Sequence, residues 1–221
     1  MIDETIIETI ARNEIGKVTI QLWKFPYEFN NKRRETLNTP KSYGTGVLLK
    51  RGDFRFLITA KHVCDGIDGN NLLYFQNSND SFLSISGDVL LLDDDQDKRI
   101  DLAVIKLSDR TVREIDMIQN KWFLSENKLK PGIQFSGGEL LLAVGFPQLS
   151  TKVDKKSMSI TSVGNIWVSK AAISLHYDEY SMDKDFVIGF DYHGKATSLV
   201  THEKLKKIDP EGISGGGLVG N

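Results

Sequence analysis

Ser214 lies in the segment Asp209-Pro-Glu-Gly-Ile-Ser-Gly-Gly-Gly-Leu-Val219, with glycines at 212 and at 215–217. Acyl transfer by a serine needs a hydroxyl held clear of its neighbours. It also needs backbone N–H groups aimed at the oxygen that becomes negative in the tetrahedral intermediate. Glycines on both sides permit the tight backbone that meets both needs. Gly-Ser runs are common in flexible linkers as well, but apolar Leu218 and Val219 follow at once, as at the start of a buried strand.

A nucleophilic serine requires a base and an acid. The spacing Gly-x-Ser-x-Gly also fits the nucleophile elbow of α/β-hydrolases, in which both partners follow the serine. Only seven residues follow Ser214, and none is His, Asp or Glu. Base and acid must therefore lie upstream. Arg55-Phe-Leu-Ile-Thr-Ala-Lys-His-Val63 is an apolar run ending in a histidine, with a turn at Asp65-Gly66 just beyond. A base at a strand's end is rigidly placed yet reachable. His176, His193 and His202 sit in polar, turn-like surroundings and read as surface residues, which leaves His62 as the candidate base. In Arg99-Ile-Asp-Leu-Ala-Val-Ile-Lys-Leu107 an acid, Asp101, stands at the start of a strongly apolar strand. A carboxylate at the edge of a core can orient and stabilise an imidazolium.

The elements that must position these residues are short. From Lys17 the apolar residues come in brief runs bounded by Gly, Asn, Asp and Ser, the pattern of a β-rich domain. Strands are predicted at 17–25, 43–50, 54–60, 72–76, 82–92 and 101–107. Residues 108–138 read as a partly helical connector, with a break at Pro131-Gly132. Strands resume at 139–146, 158–169, 185–192 and 196–201, the last two separated by a turn at His193-Gly194. The apolar spacing within residues 1–16 predicts a short amphipathic helix.

Composition excludes several classes. The chain has 221 residues, 28 basic and 30 acidic, for a net charge of −2, so nothing pulls it toward phosphate backbones or anionic lipid. No nucleic-acid or membrane partner is expected, and no run approaches the ~20 apolar residues of a bilayer helix. Acids in the first residues are unlike a secretory signal, and Cys64 is the single cysteine. Together these predict a cytoplasmic protein in a reducing compartment. Four histidines and one cysteine without paired-ligand spacing predict no metal and no other cofactor. The acids Asp93, Asp94, Asp95 and Asp97 lack the spacing of a calcium loop and read as a solvated turn.

Thr59-Ala-Lys-His62, Asp101-Leu-Ala-Val104 and Gly212-Ile-Ser-Gly-Gly216 together resemble, in that order, the motifs of the trypsin-like (chymotrypsin-fold) serine peptidase family. Tyr43-Gly-Thr-Gly-Val-Leu-Leu49 and Ala143-Val-Gly-Phe-Pro147 also resemble family segments, the second a turn common in bacterial members. The resemblance spans 17–219 in outline. It implies an all-β fold of two six-stranded antiparallel β-barrels, one at 17–107 with His62 and Asp101, the other at 139–221 with Ser214. It implies a triad in which Ser214 attacks, His62 moves the proton and Asp101 holds the imidazole, with an oxyanion hole from the N–H groups of Gly212 and Ser214. The substrate implied is a protein or peptide.

The pattern departs from secreted members in three ways. Ile213 stands where they carry an aspartate for a freshly cut N-terminus, and Val63 replaces the cysteine beside the histidine. Family strands beyond the serine are absent, so the second barrel is expected to be incomplete at its C-terminus. These features point to a bacterial intracellular type, a protease module of a larger protein governed by a regulatory domain or partner chain. The competing expectation is a catalytically inactive, trypsin-like binding module. An esterase on the same scaffold is a further reading.

Overall fold

A computed structural model describes residues 9, 14–25, 27–30, 33–36, 40–67, 72–77, 81–94, 97–129, 140–147, 151–154, 159–162, 164–170, 196–198, 204–205 and 215–220. A helical turn, α1 (Gly16–Val18), leads into β1 (Thr19–Lys24). A hairpin of β2 (Tyr27–Asn30) and β3 (Arg33–Thr36) precedes the long β4 (Lys41–Arg51) and then β5 (Phe54–Thr59). One turn of helix, α2 (Lys61–Cys64), separates these from β6 (Tyr74–Gln76), β7 (Phe82–Ser84), β8 (Gly87–Asp94) and β9 (Asp97–Leu107). Helix α3 (Asp109–Asp116), β10 (Leu124–Ser125) and a 3-10 turn (Glu126–Lys128) follow. The remaining strands are β11 (Leu140–Gly145), β12 (Thr151–Asp154), β13 (Ser159–Ser162), β14 (Asn165–Lys170), β15 (Ala196–Ser198), β16 (Lys204–Leu205) and β17 (Gly217–Gly220).

The strands form two main sheets, and the class is all-β, as expected. The first sheet runs β7-β6-β1-β4-β5-β9-β8, with antiparallel neighbours throughout. Among the described residues the one parallel pair is β10 with β4, Leu124 opposite Leu49, so the connector predicted from sequence also contributes a strand to this sheet. The second runs β16-β15-β14-β11-β17, again antiparallel, beside a separate β12–β13 hairpin.

The core of the first sheet follows from strand alternation. Leu48, Leu57, Ala103, Ile105, Leu22 and Phe75 turn inward from successive strands and are all but fully buried. Strand β1 is buried along its whole length, which an alternating strand shows only when both faces are covered. Ile20 and Leu22 enter the core, whereas Gln21 donates to Ser42 Oγ (2.7 Å) and to Thr151 Oγ1 (3.2 Å) of the β12–β13 hairpin. The second cluster, Leu142, Val144 and Ile166 with Ile15, ties the N-terminal segment to the second sheet.

Several boundaries differ from the sequence expectation for local reasons. The run at 82–92 is two strands, because Ile85 and Ser86 leave the ladder: Ser86 N–H donates to Thr111 Oγ1 (3.0 Å) and its carbonyl accepts from Ser108 N–H (2.9 Å). Ser108 in turn caps α3, its hydroxyl accepting from Thr111 N–H. The run at 158–169 is also two strands, β13 and β14, which belong to different sheets. Strand β9 starts at Asp97, so Asp101 lies within it rather than at its start. The predicted strand 185–192 and the turn at His193-Gly194 lie outside the described residues, as does most of the predicted helix in 1–16.

Lys121 joins the connector to the chain's entry into the sheet. Its ammonium donates to Gly16 O (2.7 Å) and Thr19 O (2.5 Å), with the Phe146 ring 6.0 Å away. Burial of the amine pushes its pKa down to about 8, whereas an unfolded lysine titrates near ~10.4. Between these values the unfolded chain binds more protons, so stability should rise with pH across that window. Urea midpoints measured from pH 7 to 10 should therefore climb more steeply for the wild type than for Lys121→Met. Parallel pH dependences would show that the amine is not desolvated.

Candidate active site

The register of the first sheet brings His62 and Asp101 to one edge. Antiparallel pairing of β5 with β9 ends at Thr59 opposite Ala103. The histidine lies three residues beyond Thr59, in the turn that follows β5, and the aspartate two residues before Ala103 on β9. Along β9 the residues Ala103, Ile105 and Leu107 face the core. Asp101 belongs to the same alternating row and emerges where the core runs out.

His62 is placed by the change from strand to helix. Ala60 is still extended (φ −71°, ψ 146°), and α2 then closes with Val63 N–H donating to Ala60 O (3.1 Å) and Asp65 N–H to His62 O (3.3 Å). Val63 and Cys64 anchor the turn inward at 0% and 4% exposure, which leaves the imidazole on the accessible side. Asp65 O accepts from Lys24 Nζ (2.8 Å), fastening the far end of the turn to β1.

Asp101 grips the histidine twice. His62 backbone N–H donates to Oδ1 (2.9 Å), and Nδ1 lies 2.6 Å from Oδ2. An ionised carboxylate only accepts, so Nδ1 carries a proton and Nε2 is the ring nitrogen not engaged by Asp101. Two bonds to one carboxylate fix ring position and tautomer together. Partial burial pushes the Asp101 pKa up, but the His62 backbone bond, the imidazole bond and charge, and the Lys61 N–H outweigh it and hold the carboxyl below its ordinary value. Side chains of both residues are about half exposed (49% and 48%), so the pair is open to solvent.

Beside this pair lies a junction between the sheets. Thr45 is fully buried; its carbonyl accepts from Thr59 Oγ1 (2.7 Å), and its own hydroxyl accepts from Phe146 N–H (2.9 Å) at the end of β11. Gly215 closes onto the same spot. A Cβ built there would collide with Thr45 O and Thr59 Oγ1 and come within 2.8 Å of Ala60 N, and its φ of +79° is in the left-handed region. Gly215 thus lies against Thr59, the last residue of β5, and Ala60, which caps the turn that carries His62. From Gly217 the chain enters β17 and pairs with β11, Leu218 opposite Ala143, so the strand predicted after the serine is present. Ser214 and Gly212 themselves lie outside the described residues, as do His176, His193 and His202.

Two features of the site were not singled out from sequence. Thr59 was visible within its motif, but nothing local indicated that its hydroxyl would brace Thr45 against the glycine turn. Lys24 is the second: it is buried, its ammonium 4.0 Å from the Tyr43 ring centroid. Cys64, near Lys24, is a buried free thiol whose pKa burial pushes up to about 11, which disfavours the thiolate. Among the described residues no three His, Cys, Asp or Glu side chains are grouped as a metal ion requires. Nor is any described helix long and apolar enough to cross a membrane.

No protein-family model matches the chain, and no curated protein does. Among solved structures it is similar to a variant of the HtrA-type protease AlgW with a decapeptide. That match has 16% identity and a TM-score of 0.48, over 96% of this chain and 54% of the other. It is also similar to Deg5, with 13% identity and a TM-score of 0.41, over 99% of this chain and 82% of that one. The chain spans about half the length of the first of these.

Proposed function

We propose that the chain is a serine endopeptidase module of the trypsin-like kind, in which His62, Asp101 and Ser214 form the triad. The observation that carries this reading is the pair of hydrogen bonds between His62 and Asp101, with Gly215, next after Ser214 in sequence, packed against Thr59 and Ala60.

In this reading Nε2 of His62 takes the proton from the Ser214 hydroxyl as the oxygen attacks the scissile carbonyl. Asp101 stabilises the imidazolium that forms, without itself taking the proton. The N–H groups of Gly212 and Ser214 receive the developing oxyanion. His62 then returns its proton to the leaving amine, and water repeats the cycle on the acyl-serine. An extended stretch of protein or peptide is the substrate.

Release of labelled peptides from an unfolded protein such as casein tests the activity. The wild type should hydrolyse it, and Ser214→Ala and His62→Ala should each lower turnover by about 10³-fold or more. Equal rates in all three would remove the assignment.

A further inference from the structure

Strand β8 ends the first sheet, with β9 on one side and no strand hydrogen-bonded beyond it among the described residues. Its apolar residues are exposed on both faces. Val89 and Leu91 stand opposite Ile105 and Ala103, on the face that builds the core. Yet they are 43% and 41% exposed, against 2% and 0% for those partners. Leu90 and Leu92, opposite Val104 and Leu102 on the other face, are 59% and 37% exposed. Four consecutive large apolar side chains on an edge whose outer N–H and C=O groups no described strand pairs form a template for one more strand.

The charges around this template say what strand fits. Asp88 precedes the apolar run and Asp93 and Asp94 follow it, with Asp95 and Asp97 next in sequence and no basic residue among 87–97. Lys106, opposite Asp88, keeps its ammonium 4.6 Å over the Phe54 ring. The two acidic ends are five residues apart, roughly 17 Å at ~3.3 Å per residue. A strand laid against the edge would bury apolar residues between two positions that favour positive charge.

We propose that β8 is a docking edge for an extended segment of a partner protein, three or four apolar residues bracketed by Lys or Arg, added as a further strand. Backbone bonds supply affinity in such additions, and the flanking charges select the partner and speed encounter.

The test uses a fluorescent peptide, Lys-Lys-Val-Ile-Val-Thr-Lys-Lys, and its counterpart with Glu for every Lys, titrated with the whole chain. The Lys peptide should bind at least tenfold more tightly, weaken with salt, and slow amide exchange along β8. Leu90→Thr with Leu92→Thr should weaken it tenfold or more at little cost in melting temperature, since the first residue is 59% and the second 37% exposed. Asp88→Lys, which leaves the apolar strand intact, should weaken the Lys peptide alone. Equal binding of the two peptides, or binding indifferent to these substitutions, would overturn the proposal. So would self-association of the chain that the leucine substitutions abolish, which would assign the edge to a second copy.

Discussion

Asp101→Asn is expected to lower kcat by about 10³ to 10⁴-fold while leaving the fold intact. The size follows from what the carboxylate does in a triad, where the same exchange leaves the imidazole in the wrong tautomer and its positive charge uncompensated. Here the geometry is specific. Oδ1 accepts the His62 backbone N–H at 2.9 Å and Oδ2 accepts from Nδ1 at 2.6 Å. An asparagine has one acceptor for two donors, so either the backbone bond is kept and an NH2 faces Nδ1, or the reverse. Stability should change little, because the pair is half exposed and well screened. Acid dependence has a definite sign as well. The folded carboxyl is held below its ordinary value. Its stabilising effect is therefore complete above the unfolded value of ~3.9 and lost as pH falls through the lower folded one. Initial rates and melting temperatures of the two proteins between pH 3 and 8 test both parts. An asparagine variant with near wild-type kcat would show that the carboxylate has no catalytic part.

The second large effect is expected at Gly215, where replacement by alanine should cost about 2–4 kcal/mol of stability and on the order of a hundredfold or more in turnover. A left-handed φ costs an ordinary residue only about 1–2 kcal/mol. The greater loss comes from contact, since an added Cβ would run into Thr45 O, Thr59 Oγ1 and Ala60 N. Two of these are backbone atoms, and the third is a hydroxyl already bonded to Thr45 O, so none can yield without parting the junction between the sheets. Gly52 supplies the internal control. It also has a positive φ, +54°, but nothing lies within 4 Å of its added Cβ. Gly52→Ala should thus cost about 1 kcal/mol and leave turnover unchanged. Denaturant midpoints and casein rates for the two variants decide the point, and equal losses at both glycines would assign the effect to φ alone.

The residues ahead of the junction were readable because their signals are local. An apolar run such as Phe56-Leu-Ile58 that stops at His62 announces a strand end, and alternation through Ala103, Ile105 and Leu107 announces the face to which Asp101 belongs. Their meeting depends on register between strands some forty residues apart, which no local pattern encodes; only the resemblance of the motifs implied it. The Thr45–Thr59–Gly215 junction was illegible for the same reason, being three short polar or glycine contacts from three distant segments. Strand ends were missed where side chains draw the backbone out of the ladder, as the Ser86–Ser108–Thr111 group does between β7 and β8. Pairing of β10 with β4 was hidden in a two-residue strand too short to show a period.

Covalent labelling with a fluorophosphonate probe, followed by peptide mapping, tests the central claim most directly. The account predicts a single modified residue, Ser214, labelled by the native protein and lost when His62 is alanine or the chain is unfolded. Absence of label on native protein, or label on Ser214 that persists in His62→Ala at an undiminished rate, would contradict an assembled triad.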